Sequence, residues 1–177
     1  TYITYQVYIA PGLVAMIILF NAMQSALSMV YDREMGSMKV LLTCPQPRGF
    51  LLFSKLLANA LVALPQIYAF LFIAYFVDVD PPLVGYLAVL PACLLVAIML
   101  GSIGLFISSF IRQLENFAGV MNFVIFPMFF LSSALYPLWK MQEAGPILHT
   151  ICNINPFTHA VELIRFSLYG ELDLQSL

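Results

Sequence analysis

Few side chains in this chain could do chemistry. His159, Glu162 and Arg165 recur at helical spacing near the C-terminus, a trio able in principle to move a proton or hold a metal. One imidazole beside an oppositely charged pair at that spacing is more often a locally paired, solvated face. Neither His159 nor His149 belongs to an H-E-x-x-H arrangement, and no G-x-x-x-x-G-K-[ST] loop is present to cradle phosphates. Cys44, Cys93 and Cys152 are odd in number and fall in three different regions, so they read as small apolar packing residues. The expectation is no enzyme, no metal and no cofactor bound by this chain.

A second set of polar groups is notable for where it lies. Asn21, Gln24, Ser25 and Ser28 form one helical stripe inside an otherwise apolar run, and Asn59 and Gln66 sit two turns apart in the next. Amides in hydrocarbon must face other helices or a wet cavity. Interhelical hydrogen bonding is the plainer reading, with a substrate path lined by Asn21, Gln24, Ser28, Asn59 and Gln66 as the alternative.

The elements that position these groups are four uncharged apolar stretches, about 9–31, 56–77, 86–110 and 117–139, each long enough to cross a bilayer core of about 30 Å. Pro11-Gly12 stands at the start of the first, and Pro65 is expected to kink the second. Ala97, Gly101, Gly104 and Ser108 line up along the third as a helix-packing face, because small residues let backbones approach. Tyr136 and Trp139 are placed for an interfacial aromatic belt at the end of the fourth. Asp78, Asp80, Pro81 and Pro82 make an acidic, rigid external turn. Beyond the fourth span, residues 142–169 are broken into short helices, one capped by Asn155 and opened by Pro156. Phe157, Val161, Ile164 and Leu168 give that helix an apolar stripe suited to the outer interface.

Between the first two spans lies the longest polar interruption, YDREMGSMKVLLTCPQPRGFLLFSK from Tyr31 to Lys55, with an elbow over residues 32–55. Met35, Met38, Leu41 and Leu42 oppose Arg33, Glu34, Ser37 and Lys39, which predicts a short amphipathic helix stopped by Pro45 and Pro47. Arg33, Lys39, Arg48, Lys55 and Arg112 fall on the elbow's side of the membrane, against Lys140 and Arg165 on the other. That bias puts the elbow in the cytoplasm and both ends of the chain outside.

Composition agrees. Hydrophobic residues make up 62% and charged residues 9%, against about 45–50% and 25% in soluble domains. The reading is an all-α integral membrane protein. A net charge of −2 with no basic tract gives nucleic acid no surface. No signal peptide is recognisable, and the start at Thr1 reads as a cut.

Taken together, the span opening with APG, the elbow with its R-E-x-G, proline turn and following lysine, and the late N-P-F-T-H-A-V-E-L-I-R resemble the permease subunit of type-2 ATP-binding-cassette (ABC) exporters. The resemblance covers nearly the whole chain. It implies a six-span permease working as a pair, most simply a homodimer, in a bacterial inner membrane, with its first span before Thr1 and its last after Leu177. It implies ATPase subunits on separate chains that bind ATP and Mg²⁺, and outward movement of a drug, lipid or lipid-linked glycan. It makes the elbow the coupling helix that docks on the ATPase, carried by Asp32, Arg33, Glu34, Gly36, Lys39 and Arg48. The alternative for those residues is a topological anchor. A secondary transporter or channel and a membrane-embedded enzyme are the competing functions, and both lose support because no span carries Asp, Glu, Lys, Arg or His.

Overall fold

The computed structural model describes residues 5–76, 83–135 and 145–170, and the regular structure there is entirely helical. The elements are α1 (Tyr5–Glu34), α2 (Ser37–Leu42), α3 (Arg48–Tyr75), α4 (Leu83–Phe110), α5 (Leu114–Phe130), α6 (Pro146–Ile154) and α7 (Pro156–Tyr169). At 30, 28 and 28 residues, α1, α3 and α4 are about 42–45 Å long, more than a bilayer core requires. These three are long and apolar enough to span a membrane.

α1 is the hub, packing against α3, α4, α5 and α7. Val14, Ile18, Ala22, Ala26 and Val30 follow one another at four-residue spacing and are almost wholly buried. Where lipid is the solvent, apolar burial gives little drive between helices, and close van der Waals approach decides the packing. The alanines supply it: a Cβ added at Gly104 of α4 would lie 3.3 Å from the Ala22 carbonyl oxygen and from Ala26 Cβ. Gly101, one turn earlier, looks instead toward Leu56 and Asn59 of α3. Ala97, Gly101, Gly104 and Ser108 are all buried, along the line where α4 meets its two neighbours. Large apolar side chains turned outward, such as Phe72, Phe106 and Phe123, face the surface that lipid would solvate.

Helix limits differ from those expected at several places, each for a local reason. α1 begins at Tyr5, so Pro11 lies inside it, and Gly12 is pressed against the backbone of Ala134. α3 begins at Arg48 because Pro47, at φ −62° and ψ 138°, delivers the chain directly into the helix. Residues 48–55 are therefore helix and not elbow. α5 stops at Phe130, well short of residue 139, and at 17 residues measures about 26 Å. There Leu131 leaves helical geometry, and Ser132 Oγ accepts from the Ala134 amide in a turn that folds Ser133 and Ala134 back against α1. Tyr136, Trp139, Lys140, Asp78, Asp80, Pro81 and Pro82 lie outside the described residues.

Asn155 caps α7, its Oδ1 accepting from the Phe157 amide at 3.0 Å. The apolar stripe of α7 is not spread on lipid: Phe157, Val161, Ile164 and Leu168 are 0–1% exposed because α1 and α4 cover them. Gly85 of α4 meets the Leu168 carbonyl so closely that a side chain there would collide with it. This helix is a layer of the bundle, and its one-sided hydrophobicity was satisfied by protein.

Candidate functional site

The elbow is built from two sharp joints. α1 runs to Glu34, the Met35 and Gly36 amides close its last turn on Tyr31 and Arg33, and Gly36 takes φ 79°, a left-handed value that glycine adopts without a Cβ clash. α2 then has only six residues, and none is buried. Arg33 and Glu34 thus belong to α1 rather than to the amphipathic helix. Thr43 Oγ1 donates to the Val40 carbonyl and the Cys44 amide to Leu41, ending α2 ahead of the proline turn.

The last turn of α1 ties the neighbouring helix ends together. Arg33 Nη1 donates to the carbonyls of Ser108 at 3.1 Å and of Ser109 and Ile111 at 3.4 Å, at the C-terminus of α4. Glu34 Oε2 accepts from the Leu114 amide at 3.2 Å, at the N-terminus of α5. Each charge meets the helix end of opposite partial charge, where four carbonyls or four amides lack intrahelical partners. One residue earlier, Asp32 Oδ2 lies 2.5 Å from Lys55 Nζ of α3. Three consecutive side chains, Asp32, Arg33 and Glu34, therefore hold α3, α4 and α5 to the end of α1. Lys39 and Arg48 stay exposed on the elbow.

Above the elbow, α1 and α3 leave an open seam. A cleft of about 280 Å³ is lined by Asn21, Gln24, Ser28 and Asn59, with Lys55 at its lower end. Asn21 also lines a second cleft of about 300 Å³, where its Nδ2 donates to Gln66 Oε1 at 2.6 Å. Ser25 lines the first cleft too, so the six polar residues of the two apolar runs border these two clefts. Asn59 is the buried member, 9% exposed, and its Nδ2 has no hydrogen-bond partner among the described residues.

Against known families, residues 1–169 match the ABC-2 type transporter family. The chain belongs to that family. Two curated relatives of this ABC-2 chain are named transport permease ycf38. The one from Porphyra purpurea is 27% identical over 173 residues, covering 96% of this chain and 58% of the relative. The one from Cyanophora paradoxa is 24% identical over 164 residues, covering 92% of this chain and 56% of the relative. The ABC-2 chain therefore spans somewhat under three fifths of the length of these relatives. No solved structure matches it.

In this ABC-2 chain His159 and Arg165 of the late polar trio are engaged in structural contacts. His159 Nε2 is 2.8 Å from the Asn153 carbonyl at an exposed position. Arg165 stacks over the Tyr8 ring at 4.1 Å and donates from Nη2 to the Ser133 carbonyl at 3.2 Å, a carbonyl that also accepts from Tyr8. It pins α7 to the start of α1. Burial, reinforced by Tyr86 and partly offset by Arg165, holds the Tyr169 phenol above its usual range. Cys152 is a buried thiol donating to the Leu131 carbonyl at 3.0 Å, and burial pushes its pKa up, away from reactivity.

The clamp made by Asp32, Arg33 and Glu34 was invisible in the sequence as a clamp. The one available signal was that an acid and a base follow each other directly at the end of an apolar run, while a short break, Arg112-Gln113, separates two later helices. Asn155 likewise does more than cap: its Nδ2 donates to the Met128 and Leu131 carbonyls at the end of α5.

Proposed function

We propose that this chain is the membrane-spanning part of a permease subunit of an ABC exporter, carrying an amphiphile outward while a separate subunit hydrolyses ATP with Mg²⁺. The observation that carries the reading is the elbow: a six-residue helix with no buried residue, mounted on an end of α1 that is fastened to three other helices. A topological anchor needs only positive charge, whereas this arrangement would pass a displacement of α2 into the bundle. Gly36 provides the joint, and Lys39 provides exposed charge for the ATPase. Asp32, Arg33 and Glu34 act behind them by holding the elbow to the bundle.

On this reading the seam of Asn21, Gln24, Ser28, Asn59 and Gln66 is the substrate path, and a second copy of the permease completes it. The elbow faces the cytoplasm of a bacterial inner membrane, as the charge bias supports. Amides and hydroxyls beside apolar walls suit a drug, a lipid or a lipid-linked glycan, whose polar part needs partners while its apolar part does not.

The test is co-expression of the full-length permease with its ATPase, comparing the parent with Lys39→Glu. Charge reversal on a free surface changes stability by less than about 0.5 kcal/mol, but at a docked surface it costs several kcal/mol. Lys39→Glu should insert and melt like the parent while losing co-purified ATPase and substrate-stimulated hydrolysis. A parent that never retains an ATPase and moves substrate on an ion gradient would install the secondary-transporter reading instead.

A further inference from the structure

A further cleft lies beneath the elbow, and its chemistry differs from that of the seam above. It measures about 500 Å³, within the range that takes a drug-sized ligand, and its floor is apolar, formed by Met38 and Leu41 of α2 with Leu51 and Leu52 of α3. Arg33, Arg48 and Lys55 also line it. Lys55 is paired with Asp32 and Arg33 is spent on helix carbonyls. Arg48 is exposed and makes no hydrogen bond or ion pair to another described residue.

A soluble anion would explain the cations but not the apolar floor. A purely apolar occupant would leave Arg48, which has no ion-pair partner among the described residues, uncompensated. Phe50 and Phe53 stand 55% and 54% exposed on the same stretch of α3, and Leu57 and Leu61 continue that exposed face up the helix. The α3 face beside the cleft is therefore continuous with the surface that lipid solvates. Basic pockets between membrane helices on the cytoplasmic side hold anionic lipid head groups, and basic side chains there lay their stems along apolar surface.

We propose that this cleft binds an anionic phospholipid of the cytoplasmic leaflet, with its phosphate at Arg48 and the upper part of its chains on the floor between α2 and α3. Lys39, outside the cleft, takes no part. The proposal rests on the cytoplasmic placement of the elbow and not on its docking to an ATPase.

Native mass spectrometry of the full-length permease in non-ionic detergent tests it, with phosphatidylglycerol and phosphatidylcholine of identical chains titrated separately. The parent should retain phosphatidylglycerol preferentially. Arg48→Gln should lower that preference about fivefold, the factor for one cation near a membrane surface, whereas Arg48→Lys keeps most of it and Lys39→Gln all of it. Unchanged melting temperatures show that each variant is folded. Equal retention of both lipids by the parent would overturn the proposal, as would an unchanged preference in Arg48→Gln. Displacement of phosphatidylglycerol by equimolar inorganic phosphate would reduce the site to a simple anion site and overturn it too. Loss of co-purified ATPase in Arg48→Gln with lipid preference intact would give the cleft to the ATPase. Persistent lipid preference in a permease that never binds an ATPase would sustain this inference while the functional reading fell.

Discussion

Replacing Arg33 by Met keeps the length and apolar stem of the side chain and removes only the guanidinium. Three acceptors at the end of α4 then lose their donor, the Ser108 carbonyl at 3.1 Å and those of Ser109 and Ile111 at 3.4 Å. A hydrogen bond to a charged group contributes about 1.5–3 kcal/mol, and the two longer contacts sit at the weak end. Loss of the favourable charge at the helix C-terminus adds about 0.3–1 kcal/mol. Because Arg33 is only half-buried and water can reach part of the site, the expected cost is about 2 kcal/mol. For a chain of 177 residues that corresponds to a fall in Tm of about 4–8 °C. The assay is thermal unfolding of the full-length protein in one detergent, beside Arg112→Met. Arg112 is exposed and makes no contact of this kind among the described residues, yet its removal deletes the same positive charge from the same end of the bundle. If the two variants melt together, Arg33 serves orientation and the clamp adds nothing to stability.

Glycine substitutions should rank by what a Cβ would meet. Gly12→Ala, whose Cβ would stand 2.8 Å from the Ala134 carbonyl oxygen, should cost about 1–3 kcal/mol, while Gly101→Ala presses only on the mobile end of Leu56 and should cost less. Gly119→Ala, in open space on α5, should be neutral or raise stability by about 0.5–1 kcal/mol, all three being read by thermal unfolding. Asn155→Ala should lower stability by about 2 kcal/mol, because it removes the α7 cap and both donations to the end of α5, and should speed hydrogen exchange at Phe157. Single cysteines at Ser37 and Val79, in a background lacking the native three, should label from opposite sides of the membrane; labelling from one side would refute the charge-bias topology.

Most of the architecture was legible because period and composition are robust signals. Runs of more than 20 uncharged apolar residues could be little but membrane helices, and Asn155-Pro156 stated the start of α7 without ambiguity. Helix ends were misjudged where hydropathy is a poor ruler. The first two turns of α3 carry Arg48 and Lys55, so a hydropathy reading cut them off, although the helix continues through them. The fourth stretch failed in the opposite sense: residues 131–135 are apolar enough to prolong α5, but Ser132 and Ser133 turn the chain inward. Covering of α7 by α1 and α4 could not be read at all, since a one-sided apolar helix looks the same whether lipid or protein meets it. At the site, residue types were read and pairings were not. Asn21 and Gln66 were picked as polar groups in apolar runs, but their 2.6 Å contact across 45 positions has no local signature.

The clamp also changes which substitution can isolate docking. The family resemblance offers Glu34 to the ATPase as one of the docking charges. Its carboxylate instead receives the Leu114 amide, so Glu34→Lys would place a positive charge at the positive end of α5 and leave that amide without its acceptor. Losing such a cap costs about 0.5–2 kcal/mol before any partner is considered. A fall in efflux in that variant would therefore mix loss of docking with loosening of the bundle. Lys39 carries no such double duty, which is why it separates the two. The same geometry says how load on α2 would travel. Asp32 and Lys55 keep the ends of α1 and α3 together across the elbow, so neither can be displaced alone. Arg33 and Glu34 extend that constraint to the facing ends of α4 and α5, whose opposite partial charges make the two contacts mutually reinforcing. Displacement of α2 would thus move four helix ends as one body, beneath the clefted seam between α1 and α3 where Asn21 meets Gln66.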